Sequence, residues 1–207
     1  MFGIFKKKLA RKTHIQRPTK ETKINCRLNI DGSGKTDIKT GIGFLDHMLE
    51  LFAFHGKFNL SLRAQGDIER IDIHHTNEDV GIVLGQAFRK ALGDMKGINR
   101  FGYASVPMED VVANVTVDIS GRGHFRLHTN EAFSTPELKD QDGYAFIYAE
   151  HLLESFSKHL GVNLNINVDF LSPDLHTNLE PVFKALGIAL VKATQIDLRT
   201  NGIPSTK

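Results

Sequence analysis

Through the first half of the chain the spacing of apolar positions changes several times, and each change predicts an element. Ile24, Cys26, Leu28 and Ile30 alternate with polar residues as one face of a strand. Asp31-Gly32-Ser33-Gly34 then supplies turn residues, so the segment reads as a hairpin into a second short strand. From Phe44 to His55 the interval lengthens to three or four (Phe44, Met48, Leu51, Phe52), which predicts a helix ended by Gly56. Phe58, Leu60, Leu62 and Ala64 return to alternation as another strand. Val80, Val83, Leu84, Ala87, Phe88 and Ala91 then make Thr76 to Leu92 an amphipathic helix. The resulting order is β-β-α-β-α.

The second half repeats that order. Strands are expected over Val111 to Ile119, Phe125 to His128 and Asn163 to Phe170, and helices over Tyr144 to His159 and Asn178 to Ala193. A shift of roughly 104 positions lays His47, Leu49, Glu50, Phe52, His55, Asn59 and Leu60 on His151, Leu153, Glu154, Phe156, His159, Asn163 and Leu164. After a slightly shorter loop, Asp72, His74, Glu78, Val80, Gly85 and Ala87 fall on Asp174, His176, Glu180, Val182, Gly187 and Ala189. This is an internal duplication. The expected fold is α+β and two-layer: two tandem, internally duplicated β-β-α-β-α halves, each a sheet with helices packed on one face. The divisions are a basic N-terminal arm (1–16), a first repeat half (17–97), a second (98–194) and a C-terminal tail (195–207).

Composition narrows the function classes. With 41% hydrophobic and 24% charged residues and no apolar run near membrane-spanning length, the chain reads as a soluble globular protein with no membrane partner. A net charge of +2, from 26 basic and 24 acidic residues, leaves no overall footprint for nucleic acid. Cys26, the single cysteine, cannot form an internal disulfide and reads as a small core or surface residue rather than a nucleophile. A short apolar start followed by Lys6-Lys7-Lys8 is the reverse of a secretory signal, and a cytoplasmic setting is expected.

Ten histidines, about twice the usual share, are the oddity. Duplication accounts for matching Leu and Phe positions, since both halves bury the same helix faces. It does not require matching imidazoles at His47/His151 and His74/His176. At the start of the second helix, His74 and His75 stand four and three residues before Glu78, so all three can project from one helix end. Nitrogen and carboxylate donors without a nearby cysteine suit manganese, iron, zinc or nickel and argue against a structural zinc finger.

Five stretches then carry a specific resemblance. They are Gly41 to Leu49 (GIGFLDHML), Asp72 to Asp79 (DIHHTNED), Asp118 to Arg122 (DISGR), Glu180 to Ala185 (EPVFKA) and Ile203 to Lys207 (IPSTK). In order and spacing they are similar to the motifs of the imidazoleglycerol-phosphate dehydratase family, over roughly residues 17 to 207. The resemblance implies removal of water from D-erythro-imidazole-glycerol phosphate to give imidazole-acetol phosphate, a step of histidine biosynthesis. Family members use pairs of Mn2+, self-associate into trimers and a 24-mer shell, and complete their sites between subunits. Carried over by position, one ion would take His47, His75, His176 and Glu180, and the other His74, Glu78, His151 and residue 177. Cations beside the imidazole ring make the neighbouring C–H proton removable. The resemblance also implies Glu21, His75 and Lys184 as catalytic, and His55, Arg100, Arg122, Ser205, Thr206 and Lys207 as substrate and phosphate contacts. By residue type alone, Glu21 in a Lys-Glu-Thr-Lys segment would be a solvated charge, and His55 a helix-end histidine favoured by the macrodipole.

One position departs. Anchored on Glu180, the second motif has Thr177 where the first repeat has His75. Matching His75-Thr76-Asn77 to His176-Thr177-Asn178 instead still leaves one histidine. A threonine hydroxyl is a poor ligand for a divalent ion, so the ion held by His74, Glu78 and His151 is expected to bind more weakly. Besides a working dehydratase, two readings stay open: a catalytically impaired metal-binding, shell-forming homologue, and a metallohydrolase that activates water.

Overall fold

The computed structural model describes residues 11–129, 143–169, 172–200 and 202–204. Its elements are β1 (Lys12–Pro18), β2 (Lys23–Asn29), β3 (Thr36–Lys39), α1 (Gly43–His55), β4 (Asn59–Gln65) and α2 (His74–Leu92), then β5 (Phe101–Met108), β6 (Val111–Asp118), β7 (His124–Thr129), α3 (Phe146–Leu160), β8 (Asn163–Val168) and α4 (Leu175–Thr194). They form two four-stranded sheets of the same topology, β1-β2-β4-β3 and β5-β6-β8-β7. The expected two-layer α+β halves are therefore present, with one strand more at the start of each.

Three details differ from the sequence reading. β2 and β3 are not a hairpin: β2 pairs antiparallel with β1 and β4, whereas β3 runs parallel to β4. The Asn59 side-chain carbonyl oxygen accepts from the amides of Ser33 (2.8 Å) and Lys35 (3.1 Å), which turns the Asp31 to Gly34 loop toward the start of β4 and away from β2. β1, which begins at Lys12, occupies residues assigned to the basic arm; residues 1–10 lie outside the described residues. At the end of α1, Gly56 keeps a helical φ of −77°, and the left-handed turn falls on Lys57 (φ 58°). Glycine is needed at 56 for space, since a Cβ there would lie 2.2 Å from the Phe58 ring.

The registers of the two sheets superimpose the repeat. Leu28 faces Leu60 and Cys26 faces Leu62 in the first, and Val117 faces Leu164 and Val115 faces Ile166 in the second. Cys26 thus occupies the place of Val115, and both are fully buried. α2 lies on β1 and β2, and α4 on β5 and β6. The helices then pack across the halves, α2 on α3 and α1 on α4, and so bury a continuous core between the sheets. These crossings are close because glycine permits it. A Cβ on Gly85 would lie 2.6 Å from the Phe156 carbonyl oxygen, and one on Gly187 would lie 2.4 Å from that of Phe52. Gly85 and Gly187 are repeat partners, as are Phe52 and Phe156, so one contact is made twice, reciprocally. No helix among the described residues is long and apolar enough to cross a membrane.

Candidate functional site

The reciprocal crossings bring histidines from different halves together. His47 stands in the second turn of α1, and His176 opens α4 with Glu180 one turn on. His47 Nε2 lies 3.2 Å from His176 Nε2 and 3.4 Å from Glu180 Oε2, and His176 Nε2 is 2.9 Å from the same oxygen. The two imidazoles stack with centroids 5.3 Å apart. These donor atoms all fall within 4.8 Å of one another, a spacing at which a single divalent ion can be shared.

Burial alone would raise the pKa of the Glu180 carboxyl. The adjacent Lys184 ammonium, which hydrogen-bonds its other oxygen, and the nearby His176 and His47 overcome that and hold it below the usual value. His55, at the other end of α1, is lowered by burial first and then by the charges of Lys184 and Lys57. Lys184 is thus the cation that polarises both the carboxylate and the neighbouring imidazole. His159, the repeat partner of His55, donates from Nδ1 to the Ser155 carbonyl at 2.8 Å and is tied to its own helix.

The partner cluster is made the same way from α2 and α3 but is looser. His74 Nε2 is 3.8 Å from Glu78 Oε2, and the His74 and His151 rings meet edge to face at 5.2 Å. The His74–Glu78 and His176–Glu180 pairs have the same four-residue spacing, which supports the register anchored on the glutamates. Beneath both clusters, Tyr144 stacks on Phe44 at 5.0 Å and donates to the Asn77 side chain at 2.9 Å, and Phe44 in turn packs against His176.

Within one chain His75 does not join His47, His176 and Glu180, because it stands on α2 in the other helix pair. Its Nδ1 is 3.3 Å from both oxygens of Asp67. That hydrogen bond, aided by the charge of Glu21, raises its pKa despite partial desolvation. Glu21 itself is exposed in the β1–β2 turn. Asp67 was missed in the sequence because it lies in a polar loop with no periodicity to mark it; a carboxylate steering an imidazole is visible only in three dimensions.

Thr177 faces its own helix cap. Its amide and hydroxyl both donate to Asp174 Oδ2, at 2.8 and 2.7 Å, and the residue is buried. Arg100, with a left-handed φ of 73°, forks onto Asp118 at 2.6 and 3.1 Å and donates to the Pro204 carbonyl at 3.0 Å. The paired carboxylate raises its already high pKa. Arg122 is exposed in the β6–β7 turn, and its side chain is not brought to Arg100 by any hydrogen bond among the described residues. Ser205, Thr206 and Lys207 lie outside the described residues.

Fold and site together define a class: a duplicated α+β protein whose paired helix ends present histidine and glutamate donors at the seam of its halves. The family model described as imidazoleglycerol-phosphate dehydratase matches residues 40–190, and the chain belongs to that family. It is 47% identical to the imidazoleglycerol-phosphate dehydratase of Pelobacter propionicus over 199 residues, which covers 96% of this chain and 98% of the relative. The Clostridium botulinum enzyme of the same name is 47% identical over 193 residues, 93% of this chain and 95% of the relative. Among solved structures, imidazoleglycerol-phosphate dehydratase from Staphylococcus aureus aligns with a TM-score of 0.76 at 31% identity, covering 90% of this chain and 99% of that one. The Pyrococcus furiosus protein gives 0.73 at 32% identity, over 93% of this chain and 98% of that one.

Proposed function

We propose that the chain is a cytoplasmic dehydratase of histidine biosynthesis that converts D-erythro-imidazole-glycerol phosphate to imidazole-acetol phosphate with Mn2+ bound at its histidine and glutamate clusters. The observation that carries this reading is the meeting of His47, His176 and Glu180 at ligand spacing, in a chain of the dehydratase family. Two imidazole nitrogens and a carboxylate oxygen fit a divalent first-row ion. When bound, the ion supplies positive charge beside the substrate's imidazole ring and so makes the neighbouring C–H proton removable.

The chain's own groups handle the protons. Glu21 is the acid–base group that takes the proton from carbon and returns one to the departing hydroxyl, which leaves as water, while His75, steered by Asp67 through Nδ1 and coupled by charge to Glu21, serves catalysis by offering its other nitrogen to the ion. Lys184 and His55 flank the ring on the α1/α4 side. Arg100, which already grips the tail at Pro204, would hold the phosphate together with Arg122, Ser205, Thr206 and Lys207. Since His75 is remote from His47 within one chain, a four-ligand centre takes it from a second copy. This reading therefore includes self-association, and the family resemblance implies trimers and a 24-mer shell.

The test is turnover of imidazole-glycerol phosphate by metal-stripped protein as manganese is restored. Saturable activity is expected, and none at any manganese level would overturn the reading. A monomer by light scattering with manganese present would contradict the assembly.

A further inference from the structure

We infer that the two donor clusters are unequal in this chain: the α1/α4 cluster can complete a four-ligand centre, whereas the α2/α3 cluster (His74, Glu78, His151) has three protein ligands and holds its ion labilely. The inference rests on the metal reading above and deepens it. The argument comes from the repeat. His74, Glu78 and His151 correspond one for one to His176, Glu180 and His47, so a fourth ligand that His75 gives to one centre must come from residue 177 for the other.

Residue 177 cannot serve. A neutral hydroxyl is a poor ligand for a divalent ion, and that of Thr177 is held on its own helix cap, where it donates beside the amide to Asp174 Oδ2. The side chain is buried where His75 is partly exposed. Nor can its neighbour stand in, because both ends of the Asn178 carboxamide are used on the Ser172 backbone at 2.8 and 2.7 Å. The fourth position at that centre falls to water, and water holds a divalent ion against chelation far less well than imidazole does. The geometry agrees, since His176 Nε2 stands 2.9 Å from Glu180 and 3.2 Å from His47 Nε2, whereas His74 Nε2 stands 3.8 Å from Glu78 and meets the His151 ring only edge-on.

The test titrates the metal-stripped, assembled protein with Mn2+ by calorimetry, with free Mn2+ followed by electron paramagnetic resonance. Two classes of site in equal number are expected, separated in affinity by about tenfold or more, the least that losing even an outer-shell partner costs. Thr177→His should draw the weak class toward the tight one. Thr177→Ala, which keeps the cap through the backbone amide, should leave both classes unchanged, and it carries the test if the histidine variant does not fold. Two equally tight classes in the unmodified protein would overturn the inference, as would a Thr177→Ala variant whose weak class weakens further. If equal classes accompany normal dehydration, only this inference fails; if no manganese binds, the metal reading fails with it.

Discussion

The α1/α4 and α2/α3 helix pairs are assembled from the same repeated parts, yet they end in different donor clusters. Each pair takes one helix from either half, crosses at a glycine against a phenylalanine carbonyl, and presents a His, a His and a Glu. In the α1/α4 pair, Lys184 grips Glu180 and the donors converge. In the α2/α3 pair Ile82 stands in the place of Lys184, and Glu78 is about half exposed with no lysine among the described residues to hold it. Duplication thus preserved the scaffold contact on both sides and let the chemistry diverge one residue at a time.

The sharpest way to break the comparison is to remove one glutamate at a time. Glu180→Gln should abolish the tightly held manganese, an affinity loss of about 100-fold or more measured as metal content after gel filtration. Glu78→Gln should affect only the weaker class, and equal losses from the two variants would mean the clusters are equivalent after all. The scaffold itself should behave symmetrically. Gly85→Ala and Gly187→Ala each drive a methyl group into a backbone carbonyl and should each cost about 1–3 kcal/mol, read as a similar fall in Tm. A large difference between them would show that one crossing relaxes more easily than its partner.

Asp67→Asn weakens the steering of His75. Manganese affinity at the α1/α4 centre of the assembly should fall about 10- to 100-fold, with no change at the α2/α3 centre. If both fall alike, His75 is not shared in the way proposed. The smallest effect is expected in the sheets. Cys26 takes the place of Val115, and burial pushes its thiol up to about 12, so it has no reactive thiolate. Cys26→Val should cost less than about 1.5 kcal/mol by chemical denaturation, and a larger loss would show that the two sheets pack less alike than their registers suggest.

Much of this is legible in the sequence. The helices followed from three-and-four spacing because each buries one long stripe, and the matched histidines from a shift of the chain against itself. β1 gives no comparable signal because its residues alternate only between exposed and partly buried, with Ile15 the one aliphatic side chain apart from Pro18. The β2–β3 hairpin was misread because the deciding partner of its turn is Asn59, 26 residues beyond Ser33. Asp67 escaped for the same reason, being a polar loop residue whose role exists only beside His75.

By itself, the sequence determined the duplication, the helix faces and the type of donor each half carries, because these depend on local periodicity and on residue chemistry. Only the tertiary structure decided which donors meet. The clusters form across the halves, where glycine lets two helices approach, so His47 joins His176 while His75, one residue from His74, stays with Asp67. Proximity between residues more than a hundred positions apart is set by packing, and no local pattern in the chain encodes it.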